Sequence, residues 1–98
     1  MITGKQRAAL RSMANNYDTI FQIGKNGITE ESEKQISAAL DARELIKIRV
    51  LETSPVTARE AAVSLADTLG AEIISVVGYR FVLYRESSKI PKEKRIRL

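Results

Sequence analysis

The 98-residue chain has no cysteine, no histidine and no tryptophan. Without cysteine there is neither disulfide stapling nor thiol chemistry, which fits a cytoplasmic protein. Without histidine, the commonest general base, the commonest transition-metal ligand and every histidine-dependent triad drop out together. Aromatic residues are scarce, three tyrosines and two phenylalanines, so there are few platforms for stacking bases. No apolar run approaches the length of a membrane span, and Lys5, Arg7 and Arg11 interrupt the N-terminus before a signal-peptide core could form. Internal repeats and low-complexity tracts are absent as well.

What is present is 44% hydrophobic and 29% charged, the balance of one globular domain with a single modest core. The net charge of +4 is unevenly placed. The segment from Glu30 to Glu72 is acidic, whereas the last twelve residues hold Lys89, Lys92, Lys94, Arg95 and Arg97 against Glu93 alone, which accounts for the whole excess. A polyanion would meet the ends of such a chain, although a charged tail also serves simply to stay solvated. Serines, a proline and this charge run give residues 87–98 little to bury, so they are expected to form a flexible basic tail behind a domain spanning residues 1–86.

Thr3 and Gln6 suit a capping box, and Leu10, Met13 and Ala14 recur at helical spacing, which predicts a first helix from about Gly4 to about Asn15. Arg7 and Arg11, four apart, share one face of it. Thr19 to Ile23 reads as a strand. Thr29 then caps a second helix with Glu30, Glu31 and Glu33 in the dipole-favoured first turn and Ile36, Ala39 and Leu40 as its buried stripe. Glu44 to Leu51 alternates, Ile46, Ile48 and Val50 to one side and Lys47 and Arg49 to the other. Thr57 with Glu60 opens an alanine-faced third helix that Gly70 closes, and the strands Glu72 to Val77 and Arg80 to Arg85 are joined through Gly78 and Tyr79 as a type II′ hairpin prefers. The order α-β-α-β-α-β-β predicts an α/β chain of the α+β type. We expect two layers, a four-stranded mixed sheet with helices packed on it.

Gly24, Lys25, Asn26 and Gly27 form a GKNG turn between the first strand and the Thr29 helix. Taken alone it is a tight turn. Its setting, strand then glycine turn then helix N-terminus, is also the one in which backbone amides converge on an anion, with Lys25 adding a point charge. Neither the longer nucleotide P-loop nor the three-glycine dinucleotide fingerprint is present. The Glu30, Glu31 and Glu33 cluster has a helix-dipole explanation that makes a metal site unnecessary. Tyr84 reads either as a stacking platform or as packing.

The run Ile23 to Thr29, the strand Glu44, Leu45, Ile46, Lys47, Ile48 and the segment Val77 to Arg85, with the opening helix around Leu10, Arg11 and Ala14, together resemble the CRM domain, named for chloroplast RNA splicing and ribosome maturation. The chain is similar in particular to its stand-alone bacterial, YhbY-like members. The resemblance implies a fold like the C-terminal domain of translation initiation factor three, a glycine loop likened to that of KH domains, and RNA binding, which in bacterial members is directed to precursors of the large ribosomal subunit. It implies contact through Gly24, Lys25, Asn26, Gly27, Arg7, Arg11 and Arg80, while Lys89, Lys92, Lys94, Arg95 and Arg97 enter on charge alone.

The expectation is therefore a non-catalytic, cofactor-free, monomeric binder of ribosomal RNA that assists ribosome assembly in the cytoplasm. Two alternatives stay open. One is a module docking on a ribosomal protein through the acidic middle of the chain, and the other is a small enzyme holding a phosphorylated ligand in GKNG.

Overall fold

The computed structural model of the chain describes residues 2–96. Helix α1 (Gly4–Ala14) starts where the Thr3 hydroxyl accepts the Gln6 amide and the Gln6 side chain accepts the Thr3 amide in return, at 3.1 and 2.8 Å. Strand β1 (Thr19–Ile23) leads through GKNG to α2 (Glu30–Arg43), whose capping box pairs Thr29 with Ser32. Strand β2 (Leu45–Val50) precedes α3 (Ala58–Leu69), opened by Thr57 with Glu60 and closed by Gly70 in the left-handed conformation. Strands β3 (Glu72–Val77) and β4 (Arg80–Tyr84) meet at a turn in which Gly78 alone has positive φ, as type II′ geometry requires. A 3-10 turn, Lys92–Lys94, follows.

The sheet order is β1-β2-β4-β3. β1 and β2 are parallel, as a helical crossover demands, and β4 is antiparallel to both of its neighbours. β2 and β3, linked through α3, therefore point the same way without touching, because β4 lies between them.

Strand alternation divides the core. Ile23, Ile46, Ile48, Val50, Phe81 and Leu83 face α2 and α3, where they meet Ile36, Leu40, Ala61, Ala62 and Leu65. Each fully buried large side chain there contributes about 1.5–3 kcal/mol relative to exposure. On the opposite face Leu45, Ile74, Val82 and Tyr84 pack beneath Leu10 and Ala14 of α1. The mixed sheet and element order are as expected, but α1 adds a third layer to the two expected ones. It is too short to cover its whole face, so the end of that face nearest GKNG stays open.

The second correction concerns the tail. Glu44, completely buried with φ of 65°, ends α2 and aims its carboxylate at two distant backbone amides, those of Ser87 and Ile96, both at 2.8 Å. A non-glycine residue in that backbone region costs about 1–3 kcal/mol, and charge-assisted bonds to a buried carboxylate offset it. The Ser87 hydroxyl donates to the Asp41 carbonyl at 2.6 Å, and Ile96 rests against the core beneath α1. Residues 87–96 are thus strapped along the C-terminal end of α2, since the buried Glu44 carboxylate and the Asp41 carbonyl supply what their own composition lacks.

Candidate nucleic-acid interface

Three loops gather at one end of the sheet because β1 and β2 both end there and the β3–β4 hairpin turns there. The GKNG turn is closed by the Gly27 amide donating to the Gly24 carbonyl at 2.9 Å, with Gly27 at φ 63°. Gly24 sits against Leu51, and a Cβ on Gly27 would lie 3.2 Å from the Pro55 ring, so the turn is seated on the loop after β2. That loop is tied in turn to its neighbours, with the Leu51 amide donating to the Ile23 carbonyl at 2.8 Å and the Val50 amide to the Tyr79 carbonyl at 2.7 Å. Lys25 and Asn26 project as the exposed tip, and among the described residues their amides have no acceptor within the chain.

The Gly27 amide is consumed by the turn itself, and Glu30, Glu31 and Glu33 already compensate the positive end of the α2 dipole. An anion at this loop would accordingly meet Lys25 and the tip amides rather than the helix terminus.

Beside the loops, on the open face, the strand register lines up Gln22, Arg49, Arg80 and Val77 in one row across all four strands. All four are exposed. Arg49 and Arg80 are direct cross-strand partners, and neither is in a salt bridge among the described residues. Two like charges placed so cost stability, a cost that an arriving polyanion would reverse. Tyr79, at the hairpin tip, is exposed, and it lines a cleft with Pro55, Val56 and Thr57 rather than the row itself.

Other expected contact residues are distributed differently. Arg7 is half-buried and donates to the Ile73 carbonyl, which clips α1 to the edge of β3, while Arg11 one turn further on is exposed. Both ride on the helix that covers the face bearing Arg80. The basic tail lies at the other end of the molecule, separated from GKNG by the 14 residues of α2, about 20 Å. There the Lys89 ammonium, hydrogen-bonded to Asp41 at 3.0 Å with Arg85 alongside, holds the Asp41 carboxyl below the ordinary carboxylate range. Arg95 is half-buried and bonds the Ile90 carbonyl and Glu86, Lys92 and Lys94 are exposed, and Arg97 lies outside the described residues.

Arg85 is structural, its guanidinium joining Leu69, Ser37 and Asp41. Tyr84 lies beneath α1, where burial pushes its phenol up, helped by the charges of Glu44 and Glu86, and it offers no platform. The sequence placed Tyr79 in the hairpin link without giving it a role, and Arg49, with Lys47, read either as an extension of a basic surface or as the wet side of its strand. The alternation of β2 placed Arg49 on the wet face, but its pairing with Arg80 depends on strand order. No cluster of metal-ligating side chains occurs among the described residues, and none of their helices is long and apolar enough to cross a membrane.

Comparison with known proteins adds an independent line. The chain is 40% identical over 89 residues to the Bacillus subtilis protein named "Probable RNA-binding protein YqeI", covering 91% of this chain and 93% of that one. A Methanocaldococcus jannaschii protein, also named as a probable RNA-binding protein, is 32% identical over 102 residues, covering 95% and 75% respectively. The solution structure of a hypothetical Staphylococcus aureus protein superposes with a TM-score of 0.76 at 48% identity, over 90% of this chain and 92% of that one. These relatives are named as binding proteins rather than enzymes. With residues 2–85 matching the model of the CRS1 / YhbY (CRM) domain, the chain belongs to that family.

Proposed function

We propose that the chain binds RNA through the loop end of its sheet, and that its RNA is ribosomal RNA in precursors of the large subunit, whose assembly it assists. The observation that carries the reading is the uncompensated Arg49–Arg80 pair beside the seated GKNG tip. Lys25, the Lys25 and Asn26 amides and the two arginines would grip the sugar-phosphate backbone, and Gly24 and Gly27 would let it approach closely. Arg11 extends the contact along α1, and Arg7 contributes field rather than a free hand. The tail, in which Lys92 and Lys94 are exposed, forms a separate basic surface that adds affinity blind to sequence. The names of the relatives support RNA as the ligand, and the resemblance to stand-alone bacterial members supports the large-subunit precursor.

The test is the double variant Lys25→Glu with Asn26→Asp, assayed against a large-subunit ribosomal RNA fragment. Binding should weaken at least about tenfold while thermal unfolding stays within a degree or two. Undiminished affinity would sink the loop model, and crosslinks confined to ribosomal proteins in cells would favour the docking alternative instead.

A further inference from the structure

Where α1 ends, the chain crosses to edge strand β1 and leaves a cleft of about 560 Å³ on the open face of the sheet, within the range of roughly 300–1,000 Å³ that receives small ligands. Leu45 and Ile20 supply its apolar part. Tyr17 and Asp18 enter from the α1–β1 connection, Arg43 from the end of α2 and Lys47 from β2. Tyr17 is 38% exposed, so its ring is available. Asp18, Arg43 and Lys47 take part in no salt bridge among the described residues. A free aromatic ring, an apolar floor, two uncompensated cations and one carboxylate acceptor are the groups that an unpaired nucleotide uses. Its base stacks, its phosphates meet the cations, and an exocyclic amino group donates to the carboxylate.

Position supports the same occupant. Lys47 also lines a second cleft, beside Ala14 and Asn15, that reaches Arg80. A nucleic-acid strand held at the Arg49–Arg80 row can therefore continue past Lys47, which lines both clefts, to Tyr17.

We propose that this cleft seats one unpaired RNA nucleotide carrying an amino-bearing base, adenine, cytosine or guanine, in preference to uracil. The inference rests on the RNA-binding reading and deepens it, giving a domain that otherwise grips backbone one point of base contact. Uracil is disfavoured because it has no exocyclic amino group, and its one donor, the imino N3–H, is flanked by two carbonyl oxygens that a carboxylate repels.

The test uses the full chain and fluorescein-labelled hexamers of A, C and U in anisotropy titrations. Tyr17→Ala should weaken binding of the C and A hexamers about tenfold, the scale of one lost base stack. Tyr17→Phe, which keeps the ring, should bind as the parent does. Asp18→Asn should narrow the preference for C over U. Irradiation of a 5-iodocytidine hexamer should attach it to the peptide containing Tyr17, a readout that holds even where an alanine variant loses stability. Parent-like affinity of Tyr17→Ala under conditions where Lys25→Glu weakens binding would overturn the cleft and leave the RNA-binding function standing, as would crosslinks only at other peptides. Failure of the parent chain to bind either the hexamers or the ribosomal fragment would overturn both.

Discussion

Gly24 and Gly27 look alike in the sequence and differ in the structure. Gly27 holds φ at 63° and faces the Pro55 ring at 3.2 Å, whereas Gly24 has an ordinary φ and would place its Cβ 3.6 Å from Leu51, a normal contact. Gly27→Ala should therefore cost about 1–2 kcal/mol, or some 4–16 °C in melting temperature at this size, and Gly24→Ala less than about 0.5 kcal/mol. Equal melting temperatures for the two variants would contradict the geometry. The GKNG turn was legible because glycine spacing between a strand and a capped helix is a local pattern. Glu44 was not. It stood in the sequence as the first residue of an alternating strand, and nothing local announces a carboxylate whose partners lie 43 and 52 residues further along.

The same limit separates elements. Capping boxes at Thr3 and Thr57, the left-handed Gly70 and the Gly78 turn could be read in advance because each is set by neighbours within four residues. The side of the sheet on which α1 lies, and the docking of residues 87–96, depend on surfaces that exist only after the sheet has formed. The strap carries its own prediction. Removing residues 87–98 deprives the Glu44 carboxylate of both amide partners and uncovers it, which should lower stability by about 2–3 kcal/mol as well as weaken RNA binding. Replacing Lys92 and Lys94 with alanine should weaken binding alone, since both are exposed and leave the strap in place. Calorimetry of the two variants separates these effects, and a truncated chain that melts with the parent would refute the strap.

On the scale of the molecule, the Arg49–Arg80 pair sets charge against the folded state's own interest. Replacing both with alanine should leave stability unchanged or raise it by up to about 1 kcal/mol. Binding to RNA should weaken, and the slope of log affinity against log salt should flatten by about 1.4 to 1.8, the counterion release of two phosphate contacts. Affinity measured over a salt series, with denaturant unfolding in parallel, checks both signs. Loss of stability, or an unaltered slope, would show that the pair serves the fold instead.

The strand order has a consequence for how the chain comes into being. β4 is the last strand to be synthesised and yet occupies the interior of the sheet, where it is the partner of both β2 and β3. Until Tyr84 has emerged, β1 and β2 can pair, but β2 keeps one bare edge and β3 has no partner at all. Vectorial synthesis thus allows only the β1–β2 pair first, and the sheet becomes continuous only when the β3–β4 hairpin docks its β4 strand on β2. Completion of the sheet waits on pairings of long sequence separation between β2 and β4, and a chain stalled before residue 80 presents an open strand edge to whatever lies nearby.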